Sequence, residues 1–219
     1  MKIEMKKIIN FIFCIFFSLF IIGGSIRLTV GFKELYYFDI GYLEIASSNN
    51  LSEDEIKENY DYMIDYNLNK ISGEFNLPTI KSSIEGKIHF EEVKEIVQMV
   101  GKLLMISLVI TIIGIVINLK SKDIEFLNLT SKLVILLPIL VAIPMLINFD
   151  KTFVIFHEIM FDNDYWIFDP LKDPVINILP QEFFFHAGLM IVVLVLLSSI
   201  ILHLLYKYLK SKKLNIHKQ

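Results

Sequence analysis

The chain has 219 residues, of which 54% are hydrophobic and 21% are charged, and its net charge is -3 at pH 7. A water-soluble fold cannot bury so much apolar surface, and this charge balance excludes a basic nucleic-acid-binding domain. The single cysteine, Cys14, excludes an internal disulfide and a multi-cysteine metal site.

Nearly uncharged stretches of roughly twenty residues, the length that crosses a bilayer, predict an integral membrane protein. The predicted fold is all-α: a four-transmembrane-helix bundle with a small, partly helical extracytoplasmic cap. The predicted segments, in chain order, are a cytoplasmic N-terminus (1–7), transmembrane helix 1 (8–30), the cap (31–95), transmembrane helix 2 (96–119), a cytoplasmic loop (120–128), transmembrane helix 3 (129–149), an extracytoplasmic loop (150–182), transmembrane helix 4 (183–206) and a basic cytoplasmic tail (207–219). The first apolar run follows lysines as a signal peptide does, but no small-residue cleavage site follows it, so we expect it to be retained.

The basic residues predict the orientation of these spans. Three lie before the first span, three between the second and third, and five in the tail, so all eleven fall on one side. The cap instead holds fourteen acidic residues against six lysines, and the 150–182 loop holds seven against two. By the positive-inside rule, both termini are cytoplasmic and the two acidic segments lie outside the cell membrane.

Part of the cap is predicted to be helical. Ser52 and Glu55 have the spacing of a capping box, and Ile56 and Tyr60 then recur at helical spacing. This pattern predicts a helix that ends near Lys70. A second helical stretch is expected to run into transmembrane helix 2.

Two histidines are predicted at one membrane depth. His89 stands just before transmembrane helix 2, and His157 follows transmembrane helix 3 on the same side, so both lie near the outer leaflet. Histidine suits acid–base catalysis because its unperturbed pKa is about 6.5. Arg27 lies toward the outer end of the first span, where an isolated guanidinium must snorkel, pair or face a polar cavity.

No nucleophile motif accompanies these histidines, since the sequence has no Gly-x-Ser-x-Gly, Ser-x-x-Lys or His-Glu-x-x-His pattern. An enzyme built on them would therefore activate a nucleophile that belongs to its substrate. A zinc site formed by His89, His157 and His186 with a carboxylate is a weaker alternative, because its ligands would come from three separate segments. We expect no metal and no cofactor.

Several short motifs follow one another along the chain. They are residues 88–94 (Ile-His-Phe-Glu-Glu-Val-Lys), residues 156–166 (Phe-His-Glu-Ile-Met-Phe-Asp-Asn-Asp-Tyr-Trp), Asp169-Pro170, Leu179-Pro180 and Phe183-Phe184. With the number and orientation of the spans, this series resembles the lipoprotein intramolecular transacylases, called Lit. The resemblance covers almost the whole chain.

The resemblance implies an acyltransferase that moves the sn-2 acyl chain of a diacylglyceryl lipoprotein to the amine of its N-terminal cysteine, giving N-acylated, lyso-form lipoprotein. It implies that His157 and His89 are catalytic, in an active site at the outer leaflet, and we expect Arg27, Asp162 and Trp166 to contribute substrate binding or electrostatics. The expected partners are the lipoprotein and membrane lipid, with no nucleic acid; no oligomeric state is predicted. A proton-linked transporter component and a non-catalytic envelope adaptor remain as alternatives.

Overall fold

The computed structural model describes residues 2–47, 49 and 51–216. Residue 1 of the predicted N-terminus, residues 48 and 50 of the predicted cap and the last three residues of the predicted tail lie outside the described residues. The described chain contains helices and no strand, which confirms the predicted all-α fold class. Its helices are α1 (Lys2–Gly31), α2 (Lys33–Tyr42), α3 (Glu53–Asn67), α4 (Ile84–Lys120), α5 (Glu125–Ile147), α6 (Phe149–Met160), α7 (Val175–Ile178) and α8 (Gln181–Ile216).

Within the described chain, four helices are long and apolar enough to cross a membrane. The candidate spans are Glu4–Gly31, Ile84–Lys120, Glu125–Ile147 and Gln181–Lys213. Two of these helices extend well beyond their apolar runs, since α4 begins at Ile84 and α8 continues to Ile216. Hydropathy marks only the part of a helix that suits hydrocarbon, whereas backbone hydrogen bonding continues into the polar flanks.

The chain divides into two compact units, and the first consists of Met1–Ile26, Gly101–Ala142 and Met190–Gln219. Its core is an aromatic and aliphatic cluster that includes Phe13, Cys14 and Phe126. A Cβ at Gly114 would overlap the ring of Phe13, so only glycine allows α1 and α4 to approach here.

The second unit consists of Arg27–Val100 and Ile143–Leu189. The ring of Tyr36 on α2 stacks on the ring of Tyr60 on α3, with centroids 3.7 Å apart. The Tyr36 hydroxyl donates to the carbonyl oxygen of Ile178 at 2.6 Å. Burial raises the pKa of Tyr36 far above its usual value, so this hydroxyl remains a donor.

The predicted helix of the cap is present as α3. The side chain of Ser52 accepts from the backbone N–H of Glu55, and the carboxylate of Glu55 accepts from the backbone N–H of Ser52 at 2.9 Å, which confirms the capping box. The helix ends at Asn67, slightly earlier than predicted, because Asn69 adopts a left-handed backbone conformation with φ 60°.

Helix α6 is an element that the sequence pattern did not predict. It occupies the start of the segment that was expected to be a loop after transmembrane helix 3. Asn148 separates it from α5, because this residue is extended (φ -156°, ψ 96°) and its side chain accepts from the backbone N–H of Lys151 at 2.9 Å. His157 is therefore held on a helix.

Candidate active site

The first turn of α4, which leads to His89, is held by a buried carboxylate. Asp173 accepts hydrogen bonds from the backbone N–H and the hydroxyl of Ser83, both at 2.7 Å. A Cβ at Gly86 would collide with the Asp173 carboxylate, so glycine permits this contact. The contacts fix the start of the helix and thereby the position of the histidine one turn further on.

His89 is enclosed by aromatic rings. Its side chain is only 5% exposed, and its ring centroid lies 4.7 Å from that of Phe161 and 5.4 Å from that of Phe168. Its Nδ1 atom is buried and has no hydrogen-bond partner among the described residues. A buried polar atom without a partner is costly, so this nitrogen is available to a polar group of a ligand.

His157 has a defined tautomer. Its Nδ1 atom lies 2.7 Å from the carbonyl oxygen of Phe153, one turn earlier on α6. A carbonyl oxygen can only accept, so this contact places a proton on Nδ1. In the neutral ring, Nε2 then carries the lone pair and can accept a proton.

The surroundings of His157 favour its neutral form. Its ring lies against Trp166 and Phe153, at centroid distances of 4.8 Å and 4.2 Å. Burial lowers the pKa of His157 below its usual value of 6.5, and the hydrogen bond to Phe153 opposes that shift only in part. The residue is therefore an unprotonated base at neutral pH.

The structure brings His89 and His157 together from α4 and α6. Their ring centroids are 6.1 Å apart, and the ring of Phe161 contacts both, at 4.7 Å and 5.6 Å. This spacing is short enough for one ester group and one amine to reach both imidazoles. The pair can therefore accept a proton at one ring and donate a hydrogen bond from the other.

Glu92 is a candidate residue that the sequence did not single out. It lies one helical turn after His89, and its Oε1 atom accepts from the side chain of Asn163 at 2.7 Å. Its Oε2 atom is buried and has no hydrogen-bond partner within the described chain. Glu92 thus follows His89 on α4 and is hydrogen-bonded to Asn163, which lies between Phe161 and Trp166 in sequence. A half-satisfied buried carboxylate suits a cationic group of a substrate.

The three other predicted site residues differ in whether they contact the histidine pair. Trp166 contacts His157, and its buried indole nitrogen has no partner in the described structure. Asp162 is exposed and makes no hydrogen bond or ion pair with the described residues, so the structure does not bring it into the histidine pair. Arg27 belongs to the same compact unit, and its buried Nη1 atom likewise lacks a partner there, but none of the described contacts joins it to either histidine.

Other reactive groups do not converge on the histidine pair. In the described ranges, no three His, Cys, Asp or Glu side chains are placed to hold a metal ion. His186 instead pairs with Asp39, its Nδ1 atom lying 2.9 Å from Oδ1 and 3.0 Å from Oδ2. Cys14 is buried in the core of the first compact unit.

The four helices are suited to a membrane, and two histidines are paired in one site. Together these features define a membrane-integral protein with a candidate acid–base centre. The chain matches the family model described as lipoprotein intramolecular transacylase Lit over residues 11–184. This match covers most of the chain, which therefore belongs to the lipoprotein intramolecular transacylase family.

Solved structures are similar to this chain over nearly its whole length. The membrane-integral lipoprotein intramolecular transacylase Lit from Bacillus cereus has a TM-score of 0.92 and 40% sequence identity, with 96% of this chain and 98% of that chain covered. Two variants of that protein, with a histidine replaced by arginine or by alanine, each have a TM-score of 0.89 and 39% identity, covering 97% of this chain and 95% and 96% of theirs. No curated protein sequence matches the chain.

The family resolves the choice between the functional classes that the sequence left open. The protein is a membrane-integral enzyme, a lipoprotein intramolecular transacylase. The transporter and adaptor alternatives have no comparable support.

Proposed function

We propose that this enzyme moves the sn-2 acyl chain of a diacylglyceryl lipoprotein to the amine of the lipoprotein's N-terminal cysteine, giving the lyso form. The observation that carries the proposal is the pair of imidazoles 6.1 Å apart in an aromatic enclosure. The substrate contributes both the amine and the acyl group, so the protein needs no nucleophile of its own. The most direct test uses mass spectrometry to determine whether one acyl chain of the product is bound to the cysteine nitrogen or remains on the glyceryl group.

His157 acts as the base in this proposal. Its Nε2 atom accepts a proton from the cysteine ammonium, and the free amine attacks the sn-2 carbonyl carbon to form a C–N bond. When the tetrahedral intermediate collapses, the C–O bond to glycerol breaks. The glyceryl oxygen takes up a second proton from the attacking nitrogen, so the products are an amide and a free hydroxyl group.

His89 stabilises the oxyanion of the intermediate. In the neutral tautomer that carries a proton on Nδ1, this buried nitrogen can donate a hydrogen bond to the developing charge. Arg27 is the second candidate, because a buried guanidinium nitrogen without a partner is also a strong donor. Both reacting groups belong to one molecule, so holding them together supplies part of the rate enhancement.

Glu92 binds the cysteine ammonium before proton transfer. Replacing Glu92 with Gln keeps the hydrogen bond to Asn163 feasible but removes the negative charge. We expect KM to rise about tenfold with a smaller change in kcat, because a hydrogen bond to a charged group contributes about 1.5 kcal/mol or more. Steady-state kinetics with a diacylglyceryl lipopeptide measures both constants.

The matched control is Glu91→Gln, which removes the same charge from the exposed neighbour on α4. It should leave KM unchanged. Equal effects of the two substitutions would assign the change to overall charge and would remove Glu92 from the substrate site.

The low pKa of His157 predicts the pH dependence. A base with a pKa below 6.5 is still more than half unprotonated at pH 6.5, so the acidic limb of kcat/KM should lie below that pH. Trp166→Ala exposes the imidazole and should move this limb upward, toward pH 6.5. Tyr165→Ala, at the adjacent position, is the control and should not move it. If the acidic limb of kcat/KM stays at the same pH in Trp166→Ala, burial by Trp166 does not lower the pKa of His157.

The protein is oriented with both termini in the cytoplasm and its histidine pair at the outer leaflet. The distribution of basic residues supports this orientation. In a Cys14→Ala background, Asp54→Cys should react with a membrane-impermeant maleimide on intact cells, and Ser211→Cys only after permeabilisation. Both side chains are exposed, so the reagent can reach them. Labelling of Ser211→Cys on intact cells would contradict the orientation.

A further inference from the structure

Helix α6 has an exposed apolar surface that no part of the described chain covers. Ile155, Phe156, Ile159 and Met160 form this surface, here called the α6 stripe, and their side chains are between 40% and 75% exposed. At 100° per residue, the four side chains fall within an arc of about 140°, which also contains the half-buried Phe149 and Thr152 nearer the start of the helix. A contiguous apolar surface of this kind indicates an interaction site.

The rest of α6 has two different environments. Toward the protein, Phe149 contacts Phe185 and Phe153 contacts Phe184, with ring centroids 5.4 Å and 5.5 Å apart. The opposite side is exposed and polar, with Asp150, Lys151 and Glu158, and Val154 is an apolar exception among them. The apolar side of α6 is thus packed against protein toward the start of the helix, through Phe149 and Phe153, and exposed at the α6 stripe toward its end, while the polar side faces solvent.

The length of α6 and its connection indicate what that partner is. The helix has 12 residues, or about 18 Å at 1.5 Å per residue, and so is too short to cross the hydrocarbon core. It follows the candidate span of α5, whose last residues Ile143, Leu146 and Ile147 are more than half exposed. The α6 stripe therefore continues a surface that is already suited to lipid.

We propose that α6 lies in the membrane–water interface, with the α6 stripe in the lipid and Asp150, Lys151 and Glu158 facing water. An amphipathic helix in this position buries its apolar face by about 5–10 Å into the boundary between headgroups and acyl chains. His157 lies between the stripe and the polar side when α6 is viewed along its axis. The interface thus fixes the depth of His157.

This placement has a consequence for the reaction, which rests on the proposed function. The ester groups of a glycerolipid lie at the same boundary between headgroups and acyl chains. A diacylglyceryl group in the outer leaflet can then reach His157 by lateral movement past the α6 stripe, while its acyl chains remain in lipid. The lipid position of α6 can be measured without substrate.

The test measures the surroundings of α6 in the full-length protein in vesicles of phosphatidylcholine and phosphatidylglycerol. Nitroxide labels are attached to Ile155→Cys, Ile159→Cys, Lys151→Cys and Glu158→Cys, each in a Cys14→Ala background. Electron paramagnetic resonance then compares collisions with oxygen, which concentrates in lipid, and with a water-soluble nickel chelate. We expect the ratio of oxygen to nickel collisions to be several-fold higher at the two stripe positions than at the two polar positions.

Two results would overturn the proposal. Equal ratios at all four positions would place the stripe in water. Protection of the stripe positions from both reagents would show that a second copy or another protein covers them. Neither result bears on acyl transfer, so a failure of this proposal and a failure of the proposed function are distinguishable.

Discussion

Replacing His157 with asparagine should abolish formation of the lyso product in a protein that still folds and inserts. Asparagine cannot accept the ammonium proton at neutral pH, and loss of a general base typically costs about a hundred- to ten-thousand-fold in rate. We expect a comparable loss for His89→Asn, because the oxyanion would lose its buried donor. Single-turnover assays with a diacylglyceryl lipopeptide, at matched amounts of detergent-solubilised protein, measure both.

Cys14→Ala is the control for these substitutions. The Cys14 thiol is buried in the first compact unit, where it packs with Phe13 and Phe126, whereas both histidines belong to the second. The variant should therefore keep its activity, and activity should also survive chelators. Loss of transfer in Cys14→Ala together with normal transfer in His157→Asn would favour a covalent acyl-enzyme and contradict the substrate-amine mechanism.

His186→Ala should strongly lower the stability of the protein. Asp39 is fully buried, and His186 is its side-chain partner among the described residues. Removing the imidazole leaves a buried carboxylate without a partner, which we expect to cost about 3 kcal/mol of folding free energy. Reversible unfolding in mixed micelles measures the loss.

Two further variants separate this explanation from simple loss of packing. Asp39→Asn added to His186→Ala removes the buried charge and should recover part of the stability. Lys57→Ala breaks the exposed pair with Glu53 and should cost less than about 1 kcal/mol. If His186→Ala were no more destabilising than Lys57→Ala, the hydrogen bond from His186 would not be what stabilises the buried Asp39 carboxylate.

The features that were predictable from sequence are those set by local patterns. Hydropathy predicted the existence of the four long helices, because each apolar run must satisfy its own backbone hydrogen bonds in lipid. The Ser52–Glu55 capping box was predictable because its hydrogen bonds join residues three apart. His89 and His157 were expected at one depth because chain reversal through two spans returns the second histidine to the side of the first.

The features that were not predictable depend on tertiary contacts. Asp162 was expected from the sequence to contribute to the site, and its side chain is exposed, whereas Glu92 was not singled out and accepts a hydrogen bond from Asn163. Asn163 lies 71 residues from Glu92 in sequence, so no local pattern indicates this contact. The tautomer of His157 likewise required α6, since only a helix places its Nδ1 against the carbonyl of Phe153.

Tandem mass spectrometry of a lipoprotein N-terminus, before and after incubation with the purified enzyme, tests the proposed reaction most directly. Transfer within one molecule conserves every atom, so the mass of the N-terminal lipopeptide should stay the same. Fragment masses should show one of the two acyl chains on the glyceryl group before incubation and on the cysteine nitrogen afterwards. The transferred chain should then resist mild alkali, because it is held by an amide. An unchanged diacylglyceryl group with a free amine, or a product heavier by one acyl chain, would contradict the proposed intramolecular transfer.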